Sequence, residues 1–130
     1  MNMKIFLVSG VFGGIINFLL GWLFYGVIFM DLFPVTGEMN MTMIILGSLI
    51  WGLFVAYIFT KWAHISIWKT GLQAGAAIGL FLALYYNFFY NSMKATDAID
   101  WKTIGLDIMI TITITALSGA TIAIVVDKMK

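Results

Sequence analysis

The sequence predicts an all-α integral membrane protein, a four-helix bundle with up-down topology in a single domain spanning residues 1–130. The chain is 62% hydrophobic and 10% charged, whereas soluble domains carry roughly 25% charged residues. Four apolar stretches are each long enough to cross a ~30 Å hydrocarbon core as a helix. They lie at about 5–29, 42–60, 70–90 and 103–126, and Asp107 is the one charged residue inside them.

Helices are favoured over a transmembrane barrel because the apolar stretches are long and continuous. Barrel strands need only ~9–11 residues and alternate in polarity. One segment, 110–115, does alternate isoleucine with threonine, which in water indicates a strand. The length of the fourth stretch outweighs this pattern, and threonine can bond back to its own helix carbonyls.

The lysines predict how the helices cross the membrane. Five of the seven lie at the chain ends or in the second connection, namely Lys4, Lys61, Lys69, Lys128 and Lys130. The first connection has none and carries Asp31 and Glu38, and the third balances two lysines with two aspartates. Because cytoplasmic loops are enriched in lysine, we expect both termini in the cytoplasm (N-in/C-in). Tryptophans 62, 68 and 101 are expected at the membrane interfaces.

Small residues recur at helical spacing on the first three stretches. Gly10, Gly14, Asn17 and Gly21 form one stripe, Gly71, Gly75 and Gly79 a second, and Ser48, Gly52 and Ala56 a third. Such stripes let membrane helices approach closely. They are more numerous than one small bundle needs, so we predict a homodimer.

The two halves of the chain resemble one another, which suggests a parallel two-helix repeat. Gly10, Gly14 and Tyr25 match Gly71, Gly75 and Tyr86 at an offset of 61 residues, and Ser48, Gly52 and Ala56 match Thr115, Gly119 and Ala123 at an offset of 67. Glycine is common in membrane helices, so chance matching is the alternative.

Candidate site residues come from depth along the helices. Asn17 falls near the bilayer midplane, either as a structural link to Thr111 or Thr115 or as a ligand contact. Tyr25, Asn87 and Asp107 each lie about 10–12 Å outward of the centre at ~1.5 Å per residue. Intramembrane carboxylates are functional candidates, although Asp107 is also placed to complement its helix dipole. We therefore predict an outward-facing polar crevice, completed by Thr111 and Ser48 and walled by Trp22 and Tyr86.

Other chemistry finds little support. Met39, Met41 and Met43 alternate near the outer end of the second stretch, and thioethers suit Cu(I), but interfacial packing is the better interpretation. There is no cysteine, no cofactor motif and no catalytic constellation, so we expect neither cofactor nor enzyme activity. A net charge of +1 gives no basic patch for nucleic acid.

Two functions fit these residues. The first is binding or transport of a small solute or ion through the predicted crevice, in which case the partners are the lipid bilayer and a small-molecule ligand. The second is an accessory or structural membrane protein without transport or catalytic activity, for which the packing stripes suffice. An open pocket reaching Asn17 favours the first, and a filled interior favours the second.

The first stretch reads N-F-L-L-G-W-L-F-Y-G over residues 17–26. This N-F-x-x-G-x-x-x-Y pattern resembles a family of small bacterial four-helix integral membrane proteins of unknown function, over about residues 13–33. The resemblance implies a multi-pass protein of the bacterial inner (plasma) membrane. It implies no activity and assigns no residue a role.

Overall fold

The described part of the chain is built from four long helices, as predicted. The computed structural model describes residues 2–28 and 40–130. They form α1 (Met3–Leu23), α2 (Met41–Tyr57), α3 (Trp68–Asn91) and α4 (Trp101–Met129). The first two helices continue into π-helical segments, Phe24–Ile28 and Ile58–Trp62, and a short 3-10 turn, Thr96–Ala98, precedes α4. Four helices, counted with these extensions, are long and apolar enough to span a membrane.

The described residues contain no strand, and the alternating segment 110–115 lies inside α4. A strand there would leave backbone amides without partners in lipid, whereas a helix satisfies them internally. The prediction that the length of this stretch outweighs its β-like pattern is therefore confirmed.

All four helices begin slightly before their apolar patterns do, and three of them begin with a polar cap. The side chain of Asn2 accepts from two amides of α1, that of Asn40 from the Met43 amide, and that of Asp100 from the Lys102 and Thr103 amides. Each cap satisfies helix-start donors that have no partner within the helix. The Thr103 hydroxyl also donates to Asp100 at 2.6 Å, and this bond and the amide bonds lower the pKa of that carboxyl below its ordinary 3.8.

The helices pack in the order α2, α1, α4, α3. The central pair, α1 and α4, contact one another, α2 packs on the far side of α1, and α3 packs on the far side of α4. Helix α2 also makes a small contact with α4. Helices α1 and α2 run in opposite directions, since Gly10 lies against Leu53 while Gly14 lies against Leu49. Helices α3 and α4 do the same, with Gly71 against Ala123 and Gly75 against Thr115.

Glycines bring the backbones of two helix pairs into contact. A methyl group added to Gly52 of α2 would lie 2.2 Å from the Gly10 carbonyl oxygen of α1. One added to Gly119 of α4 would lie 2.3 Å from the Gly71 carbonyl oxygen of α3. Small residues at these crossings allow the close approach that membrane helices use to associate. The stripes therefore serve contacts within the chain.

The two ends of the bundle differ. At the closed end, where α1 and α3 begin and α2 and α4 end, buried apolar side chains form one cluster: Val55, Ala56, Phe59, Ile65, Ile122, Ala123 and Val126. Phe59 and Ile122 are fully buried there. At the open end, where α1 and α3 end and α2 and α4 begin, the helices enclose a cavity.

Candidate functional site: a polar-walled cavity at the open end

The cavity has a volume of about 740 Å³ and is lined by residues of all four helices. This is within the usual range for small-molecule sites, about 300–1,000 Å³. Its lining includes most of the sequence-predicted site residues, namely Asn17, Trp22, Tyr25, Ser48, Tyr86, Asp107 and Thr111.

Asp107 is the centre of the polar wall. The Tyr25 hydroxyl donates to Asp107 Oδ1 at 2.5 Å, and Asn87 Nδ2 donates to Asp107 Oδ2 at 2.7 Å. Both carboxyl oxygens thus accept a hydrogen bond from a neutral donor on another helix, an arrangement that suits a carboxylate, which only accepts. The three residues expected at one depth are therefore brought into direct contact.

Tyr25 reaches Asp107 from the π-helical end of α1. Its hydroxyl also lies 3.3 Å from Thr111 Oγ1, one turn deeper along α4. A π-helical turn changes the direction in which side chains project, and such turns are frequent at functional sites. Tyr25 therefore joins α1 to α4 at the cavity wall.

Asn87 bonds to Asp107 on the side away from the cavity and is not among the lining residues. It is buried in α3 and shares its Nδ2 group between Asp107 and the Ala83 carbonyl, 2.8 Å away. Asn91, one turn further, is also buried and donates to the Asn87 carbonyl at 2.8 Å. Asn87, predicted to line the crevice, instead contacts the Asp107 carboxylate from outside the lining.

Two polar side chains face the cavity without a protein partner. Within residues 2–28 and 40–130, the Asn17 amide and the Ser48 hydroxyl make no side-chain hydrogen bond, although both groups belong to the lining. Thr111 and Thr115, the expected partners of Asn17, bond instead to Tyr25 and to carbonyls of α4. The structural link is therefore absent, and polar groups at this depth require water or a ligand.

Aromatic rings form the outer rim. Trp22 and Tyr86 are largely exposed at their helix surfaces and also line the cavity. Between Trp22 and the midplane, Gly21 contributes open space, since an added methyl group there would meet no atom within 4 Å. The glycine stripe of α1 thus changes use along its length, from helix contact at Gly14 to cavity wall at Gly21.

Sequence reasoning missed several lining residues on α2. Met41, Ile44, Ser48 and Trp51 all line the cavity, and their spacing of three, four and three residues places them on one helical face. Extending the face of Ser48 by one turn each way would have found Ile44 and Trp51. The indole Nε1 of Trp51 is buried with no hydrogen-bond partner in the described residues.

The two described methionines of the alternating pattern, Met41 and Met43, are placed differently. Met41 lines the cavity while Met43 is exposed, as expected for residues two apart on a helix, which face different ways. Met39 lies outside the described residues. Among the described residues no group of three or more histidines or acids could hold a metal ion.

Comparison with known proteins adds no assignment. No protein family, no curated protein and no solved structure matches the chain. The resemblance of residues 13–33 to a family of small four-helix membrane proteins therefore stays a prediction, and the function has to be argued from the cavity alone.

Proposed function

We propose that this chain binds a small solute or ion in an outward-facing crevice, as the recognition step of a transport or uptake process. The observation that carries the proposal is the cavity of about 740 Å³ that reaches Asn17 and has Asp107 in its wall. Mostly apolar walls with a few convergent polar groups are typical of small-ligand pockets. A purely accessory protein would need only the glycine contacts, and a filled interior would have favoured that role.

The polar groups support ligand binding over a structural role. Asp107 is held by two donors from different helices, which keeps its orientation defined. Asn17 and Ser48 are left available on other walls. Rigidly positioned and uncommitted polar groups around one space are what recognition of a small molecule requires.

We further propose that the open end faces away from the cytoplasm of a bacterial cell and that the chain is a multi-pass protein of its plasma membrane. The support is the lysine distribution, which assigns both termini and the second connection to the cytoplasm. Both termini lie at the closed end in the four-helix arrangement. An up-down topology with N-in and C-in then directs the cavity outward.

Cysteine labelling tests the crevice, because the chain has no native cysteine. Gly21→Cys places a thiol in the cavity wall. Gly47→Cys places one at a similar depth on α2 but outside the cavity lining, and a Cβ atom added there meets no atom within 4 Å. We expect a membrane-impermeant, cationic methanethiosulfonate reagent added outside intact cells to label the first variant and spare the second. Failure to label Gly21→Cys, or labelling from the cytoplasmic side only, would refute the outward crevice.

We also propose that the chain is a repeat of two helical hairpins. Its support is that matched glycines make matched contacts: Gly52 meets the Gly10 carbonyl, and Gly119 meets the Gly71 carbonyl at nearly the same distance. Gly52→Ala and Gly119→Ala should therefore lower the thermal midpoint in detergent by similar amounts. A large effect of one variant with none from the other would contradict equivalence of the two hairpins.

A homodimer stays a prediction. The glycines that motivated it either make contacts within the chain or, at Gly21, line the cavity. The dimer interface must therefore use another surface, such as the face of α3 where Phe81 and Phe89 are exposed. Mass measurement in nanodiscs decides the copy number. A strict monomer in both nanodiscs and detergent would end the prediction.

A further inference from the structure

We infer that the cavity selects a hydrophobic organic monocation, such as a tertiary or quaternary amine with an apolar body. The inference deepens the proposed function and rests on it, since it names the chemical class that the same cavity would bind. Three properties of the cavity wall carry it: a single negative charge, aromatic surfaces around it, and a volume far larger than an inorganic ion needs.

The charge of the wall comes first. Asp107 is the one ionisable acid among the described lining residues, and none of them is a lysine, arginine or histidine. Its two hydrogen bonds come from neutral donors, so no protein cation compensates it within the described part of the chain. Asp107 is half-buried, and a partly desolvated charge without a counter-ion favours a cation beside it. An anion would be repelled.

The aromatic rings supply a second source of cation attraction. Trp22, Tyr25 and Tyr86 line the cavity on two different helices. The face of an aromatic ring attracts a cation within about 6 Å, and tryptophan does so most strongly. Rings of this kind recognise quaternary ammonium groups, which cannot donate hydrogen bonds and depend on charge and ring contact.

Size and polarity exclude a bare metal ion. A hard cation requires several oxygen ligands at close range, whereas Asp107 is the lone carboxylate of the described wall and both of its oxygens already accept a bond. Most of the remaining wall is apolar, with Ile44, Leu82 and Ile114 among its side chains. A ligand that fills this space needs an apolar body attached to its charge.

Two ions of equal shape and opposite charge test the inference. Tetraphenylphosphonium and tetraphenylborate are titrated against the purified full-length chain in neutral detergent, with tryptophan fluorescence as the readout because Trp22 and Trp51 line the cavity. Tetrapropylammonium serves as a smaller second cation. We expect saturable binding of the cations, at least tenfold tighter than that of tetraphenylborate after subtraction of empty micelles.

Variants separate the contribution of Asp107 from nonspecific adsorption. Asp107→Asn should weaken cation binding at least tenfold and remove the preference over tetraphenylborate, while Asp107→Glu retains the preference. Asp100→Asn replaces an exposed acid outside the cavity. It should change neither the affinity for the cations nor the preference over tetraphenylborate. If Asp107→Asn does not fold, the comparison of the two ions on the unmodified chain still decides.

The outcomes distinguish this inference from the proposed function. Labelling of Gly21→Cys together with equal binding of the two ions, or with no binding of either cation, would overturn the monocation and leave the crevice standing. Absence of labelling at Gly21 would remove the crevice itself. Equal affinity of Asp107→Asn and the unmodified chain for tetraphenylphosphonium would also overturn the inference.

Discussion

The closed and open ends of the bundle use the same helices in opposite ways. On α1, a methyl group added to Gly14 would lie 2.8 Å from the Leu49 Cα, whereas one added to Gly21 would meet nothing within 4 Å. These two glycines belong to one stripe, two turns apart. At the closed end the missing side chain lets two backbones touch, and at the open end it leaves room. A small-residue stripe therefore does not by itself predict helix contact.

Along α4, the hydrogen-bond partners of the polar side chains also differ between the two ends of the bundle. Toward the closed end, the Thr115 hydroxyl bonds to carbonyls of its own helix, and the buried Ser118 hydroxyl has no hydrogen-bond partner in the described residues. Toward the open end, Thr111 and Asp107 bond to the tyrosine of another helix. A bond back to the same helix satisfies a polar atom within that helix. The bonds of Thr111 and Asp107 to Tyr25 instead join two helices at the cavity wall.

The largest expected effect tests the two uses of the α1 stripe. Gly14→Leu should abolish the folded state, because its side chain would overlap the backbone of α2 at Ser48 and Leu49 and overpacking of backbone cannot be relieved by a rotamer change. Gly21→Leu should fold and reduce tetraphenylphosphonium binding by filling the cavity. Size-exclusion profiles in detergent show whether each variant folds, and titration with tetraphenylphosphonium measures the binding of Gly21→Leu. Folding of Gly14→Leu with a normal profile would contradict the close contact.

The second prediction compares buried and lipid-facing phenylalanines. Phe59→Ala at the closed end should cost about 3–5 kcal/mol, as for other large-to-small changes in a packed core, since Phe59 is 0% exposed. Phe81→Ala on α3, where the ring is 69% exposed, should change stability by about 0.5 kcal/mol or less. Thermal unfolding in one detergent gives the comparison. Equal losses would mean that the closed end is not the more tightly packed region.

The third prediction concerns the hydrogen bond between α1 and α4 at the open end. Tyr25→Phe removes the donor to Asp107 Oδ1 and should destabilise the fold by about 1.5–3 kcal/mol, the usual net contribution of a hydrogen bond to a charged group. The lipid-exposed Tyr85 provides the matched control, since Tyr85→Phe removes a hydroxyl outside the site. Thermal midpoints of the two variants, measured together, test this prediction. Equal midpoints for Tyr25→Phe and Tyr85→Phe would mean that the bond from Tyr25 to Asp107 does not stabilise the fold.

The smallest expected effect lies at the open end of α4 and depends on pH. The pKa of Asp100 is lowered in the folded chain by its bonds to Thr103 and Lys102, so its cap is fully present above the ordinary 3.8 and is lost as pH falls through the lower folded pKa. The Thr103 amide should lose protection from hydrogen exchange, corrected for the intrinsic pH dependence, as pH falls below the folded pKa of Asp100. Asn40 caps α2 with an amide that does not titrate, so protection at Met43 should not change over the same range. Parallel loss at both caps would indicate general unfolding instead.

Much of the helical framework was predictable because it is local. The number of helices in the described residues, their approximate ends and the cap at Asp100 follow from composition and from residues close in sequence. The shared depth of Tyr25, Asn87 and Asp107 was also predictable, since a helix rises by a constant ~1.5 Å per residue. Depth along an axis is thus set before any helix meets another.

Rotation and neighbour choice were not predictable in the same way. That α1 lies between α2 and α4, that Asn87 stands behind Asp107 instead of facing the cavity, and that Gly21 lines empty space are outcomes of packing. Lipid gives membrane helices no hydrophobic drive to choose a partner. Close contacts such as Gly10 with Gly52 make that choice, and these join residues far apart in the chain. The sequence by itself determined which helices form and how deep each side chain lies, and the tertiary structure decided which of those side chains meet.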